Sequence, residues 1–236
     1  MSGMHASGWS AALWGLVAGS SFVIGGVAAL RLRPSDRTVG LLTALGAGAL
    51  FAAVAYKLID EAGRLAGGLG RVGLGLIIGS LLSLFASGGW RPTDDEVAIS
   101  FRSLAVTVVP EAIVIVGGLL GGHVSAAMIG SVFLCGVPEA IRATGKLVHD
   151  GRTPRAVLGV WGLLAVLCSL SAGVAYVLLE SAPDTAVAFV LAAAGGAVLT
   201  ELTTELVPDA RHLAGRVAGP TVVIGFGLVF GLIEVI

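Results

Sequence analysis

The chain is poor in charge: Asp, Glu, Lys and Arg make up 12% of its 236 residues, about half the ~25% of an ordinary soluble domain. Aromatic residues are 6% and cysteine occurs twice. With 56% hydrophobic residues and a mean hydropathy of +0.97, too little polar surface remains to cover a water-soluble core, which excludes a soluble globular fold. A formal charge of −1 without a basic or acidic tail offers nothing for nucleic acid to bind. Cys135 and Cys168 both fall in apolar stretches, so no disulfide framework is expected. There is no Gly-x-Ser-x-Gly elbow, no phosphate-binding glycine loop and no His-Glu-x-x-His, and an enzyme is not expected. Glycine, by contrast, is abundant at 36 residues. Small residues let helix backbones approach where lipid supplies no hydrophobic drive, so the bundle should be tight.

The apolar runs predict an all-α, polytopic transmembrane bundle of eight helices forming one domain over residues 1–236. The expected spans are Gly8–Leu30, Thr38–Leu58, Leu69–Ser87, Val97–Gly121, Val124–Leu147, Pro154–Leu179, Asp184–Val207 and Ala214–Ile236. The first is as long as a membrane span and lacks a basic leader, so it reads as a span and not a cleavable signal. Turn chemistry punctuates the connections, as in Arg33-Pro34-Ser35-Asp36, Gly88-Gly89-Trp90-Arg91-Pro92, Gly121-Gly122-His123 and Ser181-Ala182-Pro183-Asp184. Basic residues follow the odd spans (Arg31, Arg33 and Arg37; Arg91; Lys146, Arg152 and Arg155; Arg211 and Arg216), whereas the alternate loops carry Arg64 and Arg71. That asymmetry puts the odd-to-even loops in the cytoplasm and both termini extracytoplasmic.

Inside this bundle the tetrapeptide Val-Pro-Glu-Ala occurs twice, at Val109–Ala112 and Val137–Ala140. Each proline removes an N–H and frees the carbonyl four residues upstream, at Val106 and Leu134. Glu111 lies roughly a dozen residues before the turn at Gly121-Gly122-His123 and Glu139 roughly sixteen after its start, which at about 1.5 Å per residue puts both near mid-bilayer on antiparallel neighbours. Two carboxylates facing each other at that depth need a cation or a proton between them. Outside this pair of spans, the sequence offers no self-similarity strong enough to argue an inverted repeat.

The remaining intramembrane charges are Lys57, Arg102, Arg142, Glu201 and Glu205. The three basic residues lie near enough to span ends to snorkel towards water. Glu201 and Glu205, one turn apart, either line a vestibule or pair with Arg211 or Arg142. For Glu111 and Glu139 the plain alternative is a buried ion pair with a basic residue of another helix.

Thr107-Val108-Val109-Pro110-Glu111-Ala112 and Cys135-Gly136-Val137-Pro138-Glu139-Ala140 resemble the paired His-Asn-x-Pro-Glu-Gly units on the fourth and fifth spans of ZIP-family metal transporters. Tyr56-Lys57-Leu58-Ile59-Asp60-Glu61-Ala62 is similar to the end of that family's second span, and Glu205-Leu206-Val207-Pro208-Asp209-Ala210 to the end of its seventh. The resemblance covers essentially the whole chain and implies a homodimer that carries a divalent cation across the plasma or inner membrane. Its partners are then the lipid bilayer and the ion, Zn²⁺ first, with Mn²⁺, Fe²⁺, Cd²⁺ or Mg²⁺ as alternatives.

The chain departs from the family where the ligands matter. Thr107 and Cys135 replace both histidines, Val108 and Gly136 replace both asparagines, and Ser169 stands where a sixth-span carboxylate often completes the site. Lys57 takes the place of a second-span His or Asp, while His5, His123, His149 and His212 lie in or beside loops. Glu111, Glu139 and a deprotonated Cys135, with Thr107 or water as a fourth ligand, suit Zn²⁺; the two carboxylates alone suit harder ions. Lys57, Arg142, Glu201 and Glu205 are candidates for the pathway. If Arg142 swings back to Glu139 and replaces the metal, the protein moves protons or an organic solute, or is a membrane partner or sensor that transports nothing.

Overall fold

The computed structural model describes residues 7–86, 96–120 and 126–235, with side chains over 7–68, 70–86, 108–120 and 128–233. Its regular elements are all helical: α1 Gly8–Leu32, α2 Asp36–Ala53, α3 Asp60–Ala66, α4 Leu69–Ala86, α5 Glu96–Leu120, α6 Ala126–His149, α7 Pro154–Glu180, α8 Asp184–Glu201, α9 Val207–Ala214 and α10 Ala218–Val235. Four stretches are long and apolar enough to cross a membrane, namely Gly8–Leu32, Asp36–Ala66, Pro154–Glu180 and Asp184–Ile233, while Gly70–Ala86 and Val108–Leu120 are shorter apolar helices. This is the form of a membrane protein.

Local chemistry sets the helix ends. The Ser7 hydroxyl accepts from the Ser10 N–H and starts α1, Ser35 does the same for α2 through Thr38, and Thr153 caps α7 just before Pro154. The turn at Ser181-Ala182-Pro183-Asp184 separates α7 from α8 as expected. Those at Gly88–Pro92 and Gly121–His123 lie outside the described residues. Pro110 and Pro138 both sit inside continuous helices, α5 and α6.

One feature of the rods departs from the expectation. The second span does not end near Leu58: α2 runs through a π-helical turn, Val54–Ile59, into α3 and stops at Ala66. The seventh does the same, from α8 through the π-turn Leu202–Leu206 into α9. A π-turn widens the helix by one residue and disturbs its hydrogen-bond ladder, and such turns gather at functional sites.

The matching π-turns are part of an internal symmetry that the sequence reading missed. α1 packs on α6 and α7, and α7 on α1 and α5; α2 packs on α10 and α6, and α8 on α4 and α5. Exchanging α1 with α7, α2–α3 with α8–α9, α4 with α10 and α5 with α6 returns nearly the same set of packings, so the bundle has a pseudo-two-fold arrangement; the first π-turn packs on α5, and the second has no matching packing on α6 among the described residues. One constant step in numbering relates Ser21 to Ser169, Asp36 to Asp184, Gly48 to Gly196, and the π-turn starts Val54 and Leu202. It also relates Gly67 to Gly215, which close the two rods with φ of 61° and 69°, a region favourable only to glycine.

Glycine lets the paired helices interlock. A Cβ on Gly48 of α2 would strike the Val222 carbonyl of α10, and one on Gly225 the Leu45 carbonyl in return. The second half repeats this with Gly196 of α8 against Leu76 and Gly79 of α4 against Ala193. Large apolar side chains on the outer faces remain exposed, among them Ile77 and Leu82 of α4 and Val223 and Leu228 of α10, as befits surfaces solvated by lipid. Within, Trp161 stacks beside Phe22 at 6.1 Å and donates its indole N–H to the Thr144 hydroxyl at 2.8 Å.

Candidate functional site

Glu111 sits on α5, one residue after Pro110, in a wall of fully buried apolar side chains that includes Val108, Ala112, Val114 and Ile115. Only 2% of its surface is exposed, and its Oε2 finds no hydrogen-bond partner. An unpartnered buried carboxylate oxygen is costly and calls for an ion, a water or a reactive role. The charges that act on it are Glu139 of α6 and Glu201 at the end of α8, both of its own sign.

Glu139 is half-buried and opens into a cavity of about 820 Å³. The cavity's polar lining also includes Asp36, Arg142, Glu205, Asp209 and His212. It lies at the end of the bundle where α1 gives way to α2 and where α6 and α9 finish. Glu205 comes from the second π-turn and acts electrostatically on Glu139. Glu205 thus borders the cavity together with Glu139.

Arg142 does not swing back to Glu139. Its guanidinium forms an ion pair with Asp209 of α9, the side chains being 18% and 49% exposed, and its Nε is left buried without a partner. From there it also acts electrostatically on Glu139, so the ion pair with Asp209 does not remove it from that carboxylate's surroundings. Reach explains the pairing: one turn beyond Glu139 on α6, the guanidinium meets the acidic side chain of α9 across the cavity wall. Asp209 was missed because the sequence placed it outside the seventh span, which the π-turn in fact prolongs.

Cys135, one turn before Glu139 on α6, is buried and lies within electrostatic range of both glutamates. Cys168 of α7 is also buried and lies within range of Glu111. Thr107 belongs to α5 one turn before Glu111, and its side chain is outside the described residues, as is that of Arg102. Ser169 donates to the Ala12 carbonyl of α1 at 2.8 Å. Its symmetry mate Ser21, overlooked in the sequence, is fully buried with an unpartnered hydroxyl. That hydroxyl occupies the space a Cβ on Gly136 would need, next to Cys135. Lys57 lies half-buried in the first π-turn and takes no part in the ion pairs found among the described residues.

Among the described residues no three His, Cys, Asp or Glu side chains stand close enough to cage a metal ion. The site is therefore a sealed carboxylate at Glu111 and a half-buried one at Glu139 that borders a cavity lined by both acidic side chains and the basic Arg33, Arg142 and Lys146, and among the described residues it has no closed coordination shell. Compared with known proteins, the chain matches no family model and no curated protein.

Proposed function

We propose that the protein is a ZIP-like carrier that moves a divalent metal cation, Zn²⁺ foremost, between Glu139 and Glu111. The observation that carries this reading is the buried carboxylate of Glu111, with its Oε2 unpartnered, within electrostatic range of a Glu139 that borders the cavity. A desolvated divalent ion needs about two negative charges and several further lone pairs. Glu111 and Glu139 supply the charge; Cys135, Thr107 and water supply the rest. Among the described residues such a shell is not assembled beforehand, so in this reading it draws together on binding.

In this reading α2–α3 and α8–α9 are each one span, and together with α1, α4, α5, α6, α7 and α10 they make eight crossings. Halves that begin with α1 and with α7 are then an odd number of spans apart, so they cross the membrane in opposite senses, the repeat architecture of many carriers. The cavity ends at the Arg-rich connections near Arg33 and Lys146, which the positive-inside rule assigns to the cytoplasm. The vestibule accordingly faces inward, both termini lie outside, and the protein is a multi-pass protein of the plasma or inner membrane that works as a homodimer.

Purified protein in liposomes should accumulate Zn²⁺ or Mn²⁺, and Glu111→Gln and Glu139→Gln should each abolish the flux, because an amide cannot offset the cost of dehydrating the ion. Wild-type vesicles that take up no divalent ion would overturn the reading in favour of a route for protons or an organic solute. Undiminished flux in both variants would move the site elsewhere.

A further inference from the structure

The two π-turns occupy equivalent places in the two halves, yet their ionisable side chains are opposite in sign. The step in numbering that relates Val54 to Leu202 and Gly67 to Gly215 relates Lys57 to Glu205. Glu205 borders the cavity together with Glu139. Lys57 instead belongs to a π-turn that packs directly on α5, where Leu58 Cδ1 lies 3.0 Å from the position of a Cβ on Gly117. Glu111, on the same helix α5, is buried with an unpartnered oxygen. If the halves exchange roles, as inverted repeats do during alternating access, the first π-turn parts from α5. A vestibule then opens on the other face, and Lys57 borders it beside Glu111, just as Glu205 now stands beside Glu139.

We propose that Lys57 is a tethered counter-ion for Glu111 in the ion-free, opposite-facing carrier, and that it permits the empty return step. This inference rests on the transport reading above. A carrier with two carboxylates and no cation pays heavily to reorient through a low-dielectric interior. An ammonium that folds onto Glu111 when the metal has left removes that cost, and an arriving divalent ion displaces it. No covalent chemistry is involved: one ion pair forms as the metal–carboxylate contact breaks.

The test separates net uptake from exchange in proteoliposomes with labelled Zn²⁺. Net uptake into metal-free vesicles requires the empty return, whereas exchange into vesicles preloaded with unlabelled Zn²⁺ does not. For Lys57→Gln, net uptake should fall by more than about 10-fold while exchange persists, and Lys57→Arg should restore net uptake. Lys57→Gln that retains both activities overturns the inference and leaves the transport reading standing. Loss of both activities in a variant whose thermal unfolding is normal also overturns it, because Lys57 then acts in binding. Wild-type protein with neither uptake nor exchange instead removes the transport reading and this inference with it.

Discussion

The two halves of the bundle contain the same parts in opposite condition. In the first, the π-turn Val54–Ile59 lies on α5 and Glu111 is sealed; in the second, the π-turn Leu202–Leu206 contributes Glu205 to a cavity that reaches Glu139. The apolar frame is nearly interchangeable, as Gly48 with Gly196, Leu58 with Leu206 and Ala62 with Ala210 attest. The charge in the π-turns is not: Lys57 answers Glu205, whereas nearer the rod ends Glu61 answers Asp209 and Arg64 answers His212 without a reversal of sign. Packing between helices in lipid depends on small residues and shape, which a repeated frame supplies. Polar side chains in such an interior are expensive and persist for a task, so their divergence marks where the halves do different work.

The largest effects should follow from breaking the frame that the halves share. Gly48→Val and Gly196→Val each drive side-chain atoms into a backbone carbonyl of the neighbouring helix, and neither α10 nor α4 can yield without losing its own interlock. Each should cost more than about 3 kcal/mol, enough to abolish folding or leave an aggregated product in detergent. Gly231→Val, at a position with open space around it, should be tolerated. Thermal unfolding and size-exclusion profiles of the three variants decide the point. A stable Gly196→Val beside a failing Gly48→Val would show that the two seams are not equivalent.

Much of this frame was legible in the sequence, and the part that was not has a physical cause. Span existence follows from long apolar runs, and the starts of α1, α4, α6 and α7 fall on or within two residues of the expected ones. The ends of the second and seventh spans were placed early because Asp60, Glu61, Pro208 and Asp209 look like the polar edge of a membrane. A π-turn carries no sequence signature of its own, so the helix continued where composition suggested a stop. The repeat was hidden for a related reason: lipid-facing positions accept any large apolar residue, and identity survives mainly at close contacts. The paired glutamates were visible because charge is so rare here. Ser21 was not, because a serine in a glycine-rich helix looks like one more small residue. Asp209 was hidden by the misplaced end of its span.

An intermediate effect should come from the polar contacts that differ between the halves. Asp209→Asn removes the partner of Arg142, whose side chain is 18% exposed and whose Nε already lacks a hydrogen bond. Because Asp209 itself is half exposed, the cost should be about 1–2 kcal/mol, below that of a fully buried pair. In the first half Glu61 pairs with Arg64, whose side chain is 72% exposed, and Glu61→Gln should change stability by less than about 0.5 kcal/mol. Chemical or thermal denaturation of both variants measures the difference. Equal losses would show that the Arg142–Asp209 pair is as water-screened as its counterpart and does not bind α6 to α9.

The smallest effect separates two serines related by the same symmetry. Ser169 donates to the Ala12 carbonyl, so Ser169→Ala should lower stability by about 1 kcal/mol, the usual worth of one hydrogen bond, and leave Zn²⁺ uptake unchanged. Ser21 has no partner to lose. Ser21→Ala should leave stability within about 0.5 kcal/mol of the parent, or raise it slightly, because an unsatisfied buried hydroxyl disappears. Its consequence should lie in binding. The Ser21 oxygen faces Gly136 beside Cys135, the place where the resemblance to metal transporters puts a ligating amide, and in the carrier reading it offers the ion a neutral oxygen. A rise of about fivefold in half-saturation for Zn²⁺, against an unfolding temperature that does not fall, would assign Ser21 to the ion; one lost neutral ligand of about 1 kcal/mol corresponds to that factor. A Ser21→Ala variant with unaltered half-saturation would instead leave its hydroxyl as a packing defect between α1 and α6. The oxygen that completes the shell would then have to come from Thr107 or from water.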